Sequence, residues 1–366
     1  MRLGIFGCGD FLRWQEESLK ASARVQVKAV YDPNRERALG WAERLGAEAV
    51  ASEDEILNDP EIDLVSLFVP PWLRRDLFVR AADHGKHLLP TKPLGHTAEA
   101  CDAMVEAVRR NGVRCGVIYR SAGEPWFDAV KSILEEGRFG KLALFRQDWI
   151  HHFPQWSDWA LDPEKNGGPF MDAMIHNLNI ARYFMARPMK TATWFSDTLS
   201  HPDMPCADTE SLRVDFEEGG VAHLFITWAA DLAVHSTEGN FREHIDLLYL
   251  VTDEGWHITE ESRDGQAFVR VSRLGEDEWI EPEPLPATHY DRFAQAVEMG
   301  EPNPRDLPDV DNAAEDARLI RSFAGQSFGR RELSAHKLPE AMRVVDELPL
   351  TAAHKLDRSA LGAQVA

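Results

Sequence analysis

The chain has 366 residues, 44% hydrophobic and 28% charged, an ordinary globular composition with room for two cored domains. Sixty-one acidic residues against 40 basic ones give a net charge of −21, which argues against nucleic acid or an anionic membrane as a partner. The four cysteines lie far apart with no CxxC pair, and there is no signal peptide and no run near the ~20 apolar residues of a membrane span, so a reduced, cytoplasmic protein is expected.

From residue 1 to about 120, short β-rich apolar runs alternate with helical patterns, as in a parallel sheet covered by crossover helices. Strands are predicted over 3–6, 25–31, 49–50, 64–69, 87–89 and 114–119. Ser52 and Glu55 form a capping box, and Gly46, Gly85 and Gly112 stand where helices should close in left-handed caps. One doubly wound α/β domain over 1–120 accounts for these features. After a helix that carries Phe127, Val130, Ile133 and Leu134 and closes at Gly137, the hydrophobic period changes to two. Hairpins are predicted for 212–216 with 221–228, and for 245–251 with 256–259. Further strands over 142–152, 191–196 and 267–273, with helices over 170–185, 288–299 and 311–328, complete an α+β domain over 121–335. A mixed polar tail, 336–366, carries no readable chemistry.

Directly after the first strand, Gly7-Cys8-Gly9-Asp10-Phe11-Leu12 opens a helix, so the backbone can approach a pyrophosphate resting on a helix N-terminus. Asp32 ends the second strand about 20 residues on, placed to accept bonds from an adenosine ribose. In this strand-turn-helix setting the two together outweigh the plain alternative, a tight turn with a surface aspartate before Pro33. Leu12, where a third glycine is usual, should hold helix and strand further apart. An aspartate repels a 2′-phosphate, so NAD is expected over NADP, with Arg35 able to reverse the preference in part.

Thr91-Lys92-Pro93 follows a short strand, placing an ammonium at the carboxyl edge of a parallel sheet, where such folds bind ligands. Alone, this tripeptide reads more simply as a solvated loop lysine. Gly167-Gly168-Pro169 leads into a helix on which Asp172 and His176 stand four apart, so that both can act on one substrate hydroxyl. A helix-start aspartate holding a histidine explains that pair equally well. The segment holding Trp149, His151, His152, Phe153, Trp156 and Trp159 is rich in aromatics that pack on sugar C–H faces. Trp149 and His151 share one strand face and are the better substrate candidates, with Tyr119 and Arg120 as further lining. For Trp156 and Trp159 an ordinary hydrophobic loop is an equal reading.

These segments in this order resemble the glucose-fructose oxidoreductase, inositol dehydrogenase and MocA family over nearly the whole chain. Asp32-Pro33-Asn34-Arg35-Glu36-Arg37-Ala38, Gly85-Lys86-His87, Tyr119-Arg120, Glu136-Gly137-Arg138-Phe139-Gly140-Lys141 and Gly329-Arg330-Arg331 add to the likeness. The resemblance implies a Rossmann domain followed by a large, mainly antiparallel open sheet whose face forms a homodimer or homotetramer interface. It implies that Lys92, Asp172 and His176 hold the catalytic positions, with Pro70 and Lys92 beside the cofactor. Thr91-Lys92-Pro93 departs from the usual Glu-Lys-Pro, Val69-Pro70 from Thr-Pro, and His176-Asn177-Leu178-Asn179 from His-x-x-Asp. These departures bear on how the nicotinamide ribose and the substrate's outer hydroxyls are held.

The expected activity is NAD(P)-dependent oxidation or reduction of a sugar, anhydro-sugar or cyclitol. His176 would take the hydroxyl proton, Lys92 would stabilise the alkoxide and Asp172 would orient the substrate or tune His176. Three alternatives stay open: a redox-neutral NAD-dependent glycosidase or lyase, a non-catalytic dinucleotide sensor, and a metal-dependent hydrolase or isomerase. The last would use His151, His152, Asp172 and His176 but gives Lys92 and the glycine turn no shared purpose. No metal is expected.

Overall fold

The β-rich runs of the first third form five parallel strands, β1 (Arg2–Phe6), β2 (Gln26–Tyr31), β3 (Glu48–Ala49), β4 (Leu64–Leu67) and β5 (His87–Pro90). Helices α1 (Asp10–Ala21), α2 (Arg35–Leu45), α3 (Glu53–Leu57), α4 (Pro71–Asp83) and α5 (Ala98–Asn111) connect and cover them, in a computed structural model that describes residues 1–154, 158–232 and 244–333. Trp156 and the tail 336–366 lie outside the described residues. The strand order is β3-β2-β1-β4-β5, so the winding reverses beside β1 and opens a crevice at the carboxyl ends of β1 and β4, where such sheets bind ligands. Gly46 and Gly112 close their helices at φ +64° and +62°, and Gly85 stands at +72°, as their positions foretold. Ser52 does not cap α3; its hydroxyl and the Ala51 N–H both donate to the Glu55 carboxylate, at 3.0 and 3.1 Å.

The expected sixth strand, 114–119, is only a pair of isolated bridges, Leu88 to Cys115 and Thr91 to Ile118. Its outer side pairs with a loop instead: the Val117 N–H donates to the Pro308 carbonyl at 2.9 Å, and Gly116 bridges Asp309.

Beyond α6 (Pro125–Glu136) the period-two pattern becomes a nine-stranded sheet built of β6 (Leu142–Ile150), β7 (Met189–Asp197), β8 (Thr209–Phe216), β9 (Val221–Thr227), β10 (Ile245–Thr252), β11 (His257–Arg263), β12 (Gln266–Arg273), β13 (Glu276–Ile280) and β14 (Phe328–Glu332). Both expected hairpins are present, and every pairing is antiparallel except β6 with β9. The β13 sequence, Glu-Asp-Glu-Trp-Ile, gives no alternation to read, and β14 earns its place only by pairing with β7. One face is apolar, with Phe145, Leu212, Val214, Phe216, Leu224 and Ile226 buried beneath α7 (Ile175–Met185). The other carries Arg146, Arg213, His223 and the exposed Ile245, Leu247, Tyr249, Phe195 and Phe328.

The last helices, α8 (His289–Met299) and α9 (Val310–Arg321), return to the first sheet. Tyr290, Phe293 and Ala294 are fully buried in one core with Leu3, Ile5 and Val30, while α9 packs on α5. The expected boundary at 120 therefore divides the two sheets but not the helices that cover them. Gly116 and α8 pack closely, since a Cβ on Gly116 would lie 3.0 Å from the Phe293 ring. Among the described residues no helix is long and apolar enough to cross a membrane. Phe293→Ala should cost about 3–5 kcal/mol in equilibrium denaturation, the range for emptying a buried phenylalanine site. A loss under about 1 kcal/mol would mean that α8 is not part of the first core.

Candidate active site

The turn after β1 is shaped by its glycines. Gly7 has φ +94°, and a Cβ on it would lie 2.5 Å from the Phe68 carbonyl oxygen, so no other residue fits without displacing β4. Gly9 is the N-cap of α1, has no side-chain cap and has nothing within 4 Å of where a Cβ would stand. The leading N–H groups of α1, at Asp10 and Phe11, are thus left to an anion approaching the dipole's positive end. Asp32 braces the turn, its carboxylate accepting from the Cys8 and Asn34 N–H groups at 2.8 Å each. This cradle fits a dinucleotide. Arg35 is spent elsewhere, donating from Nη1 to the Ala49 and Val50 carbonyls at 2.7 and 2.6 Å, and does not offset Asp32. Leu12 is a fully buried core residue whose N–H goes to the Gly9 carbonyl at 3.2 Å, so it makes no ligand contact. Phe11 packs its ring 5.1 Å from that of Phe68, and Pro70 caps α4 at the end of β4.

Across the crevice, Lys92 Nζ donates to the main-chain carbonyl of Asp172, joining the loop after β5 to the turn beneath α7. Lys92, Asp172 and His176 are all partly exposed. Burial pulls the Lys92 amine below the usual lysine range; Asp172 opposes the shift and Arg74 adds to it. Burial raises the Asp172 carboxyl, against the opposing effects of Lys92 and an Asn166 hydrogen bond.

The helix expected over 170–185 begins as a π turn, Phe170–Met174, before α7 takes over. The wider turn removes the four-residue register, so Asp172 and His176 do not work as a stacked pair. Asp172 turns to Lys92 and Asn166, whereas His176 Nδ1 accepts from the Arg120 N–H at 3.0 Å. That bond fixes the neutral ring with its proton on Nε2. Burial, with Lys92 and Arg120 adding to it, holds the imidazole well below its usual range. In this arrangement His176 presents Nε2 as a hydrogen-bond donor.

Arg120 forms the outer wall of this site. Its guanidinium lies 5.3 Å over the Trp149 ring and 5.7 Å over Phe127, donates to the Asn177 side-chain oxygen at 3.3 Å and pairs with Asp246 at 3.4 Å. One face of Trp149 is thus occupied by Arg120 rather than open to a sugar. His151 is 4% exposed; its Nδ1 faces the His152 carbonyl at 2.6 Å, leaving Nε2 as an unpartnered acceptor among the described residues. Tyr119 does not line a pocket, because its buried hydroxyl donates to Asp316 at 3.1 Å and its ring meets His176 edge-on. Trp159 packs 4.7 Å from Trp72, linking the loop before the π turn to α4. No three His, Cys, Asp or Glu side chains gather to hold a metal among the described residues.

Glu210 escaped the sequence reading, although it interrupts the alternation Phe216, Val214, Leu212 at the next inward position of β8. It is 6% exposed, accepts from the Phe170 N–H at 2.7 Å and thereby anchors the π turn. Gly168, in the preceding loop, has φ +92°, which favours glycine, and a Cβ on it would stand 3.1 Å from the Glu210 Oε1. Burial pushes the Glu210 carboxyl up to about 8.

Residues 1–119 match the model of an oxidoreductase family with an NAD-binding Rossmann fold, GFO_IDH_MocA, and residues 127–242 match the GFO/IDH/MocA C-terminal domain. The chain is 26% identical to scyllo-inositol 2-dehydrogenase (NAD(+)) of Bacillus subtilis over 73% of its own length and 79% of that protein. With the oxidoreductase YrbE of the same organism it shares 26% over 60% of its length, covering only 64% of that relative. Levoglucosan dehydrogenase in complex with NADH superposes with a TM-score of 0.76 at 18% identity, over 91% of this chain and 99% of that one. Aldose-aldose oxidoreductase from Caulobacter crescentus gives 0.76 at 19% identity, over 89% and 97%.

Glu210 also sets a pH dependence. Its value of about 8 in the folded chain exceeds the ordinary 4.5, so its ionisation favours the unfolded state as pH rises between those values. Glu210→Gln should therefore gain stability over the native chain as pH rises from 5 to 9, by roughly 3–5 kcal/mol at the upper end. Urea denaturation at both pH values reads this, and an equal effect at pH 5 and 9 would contradict it.

Proposed function

Because the chain belongs to the GFO/IDH/MocA oxidoreductase family, whose N-terminal part is an NAD-binding Rossmann fold, we propose that it oxidises or reduces a secondary hydroxyl or ketone of an uncharged sugar, anhydro-sugar or cyclitol. The observation that carries this reading is the junction of Lys92 with Asp172 beside His176, across the crevice from the Gly7 turn. Gly7, Gly9, the leading amides of α1 and Asp32 would hold the dinucleotide, which would supply a hydride acceptor as NAD+ and a hydride donor as NADH.

The remaining work falls to the chain's own side chains. His176 donates its Nε2 proton as a hydrogen bond to the reacting oxygen and cannot accept one there while the Arg120 amide holds Nδ1. Lys92, kept below the usual lysine range, takes the hydroxyl proton during oxidation and returns it during reduction. Asp172 steadies Lys92 in its charged form. The outer cation, Arg120, is answered by Asp246 and flanked by Glu124 and Glu260, which favours a neutral polyol over a sugar acid or phosphate. The Asp32 carboxylate and the engaged Arg35 favour NAD over NADP.

The test is absorbance at 340 nm with NAD or NADP and a panel of cyclitols, aldoses and anhydro-sugars. Reduction of NAD by at least one member is expected. Lys92→Met should lower kcat by about 10³-fold and His176→Ala by roughly 10²-fold, with NAD affinity changed by less than about threefold. Silence across the panel with NAD already bound would replace this reading by a redox-neutral glycosidase or lyase.

The exposed face bearing Phe195, Phe328, Leu247 and Tyr249 is assigned to self-association, the two phenylalanine rings lying 5.2 Å apart. Light scattering should give a dimer or tetramer for the native chain and a smaller species for the Phe328→Glu, Leu247→Asp double variant. A native monomer at micromolar concentration would contradict that assignment.

A further inference from the structure

Arg74, in the first turn of α4, is 1% exposed. Cys101, Cys115 and Tyr119 act on it electrostatically, and no carboxylate accepts a bond from it among the described residues. Its guanidinium donates to main-chain carbonyls instead: from Nη1 to Thr91 at 2.6 Å, Leu94 at 3.3 Å and Pro93, and from Nη2 to Val69 at 2.6 Å. Its Nε has no partner among the described residues. A buried cation with no counter-ion is costly, and an apolar side chain would serve packing better. The carbonyls it gathers belong to two loops, the one after β4 and the one after β5, and Lys92 lies inside the second. Five donors on one rigid plane suit this task, since a lysine could not reach both loops with fixed geometry.

We propose that Arg74 is a positioning residue for Lys92: its guanidinium clamps the Thr91–Leu94 loop to Val69. This rests on the reading in which Lys92 moves the substrate proton. The charged and titratable groups facing Lys92 are Asp172 from the π turn, His176 from α7 and Arg74 from α4. Asp172 favours the protonated amine, whereas Arg74 adds to the burial that disfavours it. Without Arg74, Lys92 keeps its proton to higher pH, and its loop loses three carbonyl contacts and the tie to Val69.

Two variants of the full chain separate charge from clamp. Lys92 titration is read without turnover by competitive acetylation with acetic anhydride across pH, quantified by mass spectrometry. In Arg74→Met the half-point of Lys92 labelling and the rising limb of the oxidation pH profile should both move up by roughly one pH unit. In Arg74→Lys, which keeps the charge and loses the fork, the half-point should stay in place while kcat falls about tenfold. A folded Arg74→Met protein with unmoved Lys92 labelling overturns the proposal. Should Arg74→Met fail to fold, Arg74→Lys decides: lowered kcat with unmoved labelling upholds the clamp, and native turnover overturns it. A labelling shift in a protein that oxidises no polyol would keep the Arg74 assignment and remove the dehydrogenase reading instead.

Discussion

The donation from Lys92 Nζ to the Asp172 carbonyl ties the carboxyl edge of the parallel sheet to the π turn resting on the nine-stranded sheet. Each side of that bond is held by buried polar groups. Arg74 gathers the lysine loop from below, and Glu210 takes the first amide of the π turn. Neither residue touches the other's loop, and the two halves of the site meet at Lys92, at the Trp72–Trp159 contact and at the Arg120 amide on His176. A site assembled in this way lies at the carboxyl edge of the parallel sheet and leaves His176 beside it.

The same arrangement costs stability. A carboxylate at an inward strand position and an arginine without a counter-ion are both expensive in a low-dielectric interior. Replacing either by an apolar side chain of similar size is the kind of change that often stabilises a fold while weakening what the site does. The electrostatics also divide the labour. Arg120 and Lys92 add to the burial that keeps His176 neutral, and its Nδ1 is occupied, so the ring offers a proton in a hydrogen bond rather than taking one. Lys92, desolvated and with Arg74 adding to the downward shift, is the group to which the proposed reading gives the substrate proton.

The parallel half of the fold was legible because glycine caps and apolar runs are local signals, as at Gly46, Gly112 and the Gly7 turn. The hairpins at 209–227 and 245–263 were legible for the same reason. What could not be read depends on partners distant in sequence. The 114–119 segment shares its backbone bonds with Pro308 and Asp309, β14 exists only against β7, and α8 closes a core begun at Leu3. In the site, residue types and spacing singled out Lys92, Asp172 and His176, but spacing assumed an α-helical turn. The π turn at 170–174 sends Asp172 and His176 to different partners. Tyr119 looked like pocket lining until Asp316, far along the chain, claimed its hydroxyl. Glu210 alone left a local trace, the charged residue where β8 should have stayed apolar.

The most direct measurement is a crystal structure with NADH and a polyol that the enzyme accepts. One substrate oxygen within hydrogen-bonding distance of both Lys92 Nζ and His176 Nε2, with Nδ1 still on the Arg120 amide, is the expected result. A substrate oxygen bonded to an inverted His176 ring, with Lys92 out of reach, would contradict the assignment of the proton to Lys92.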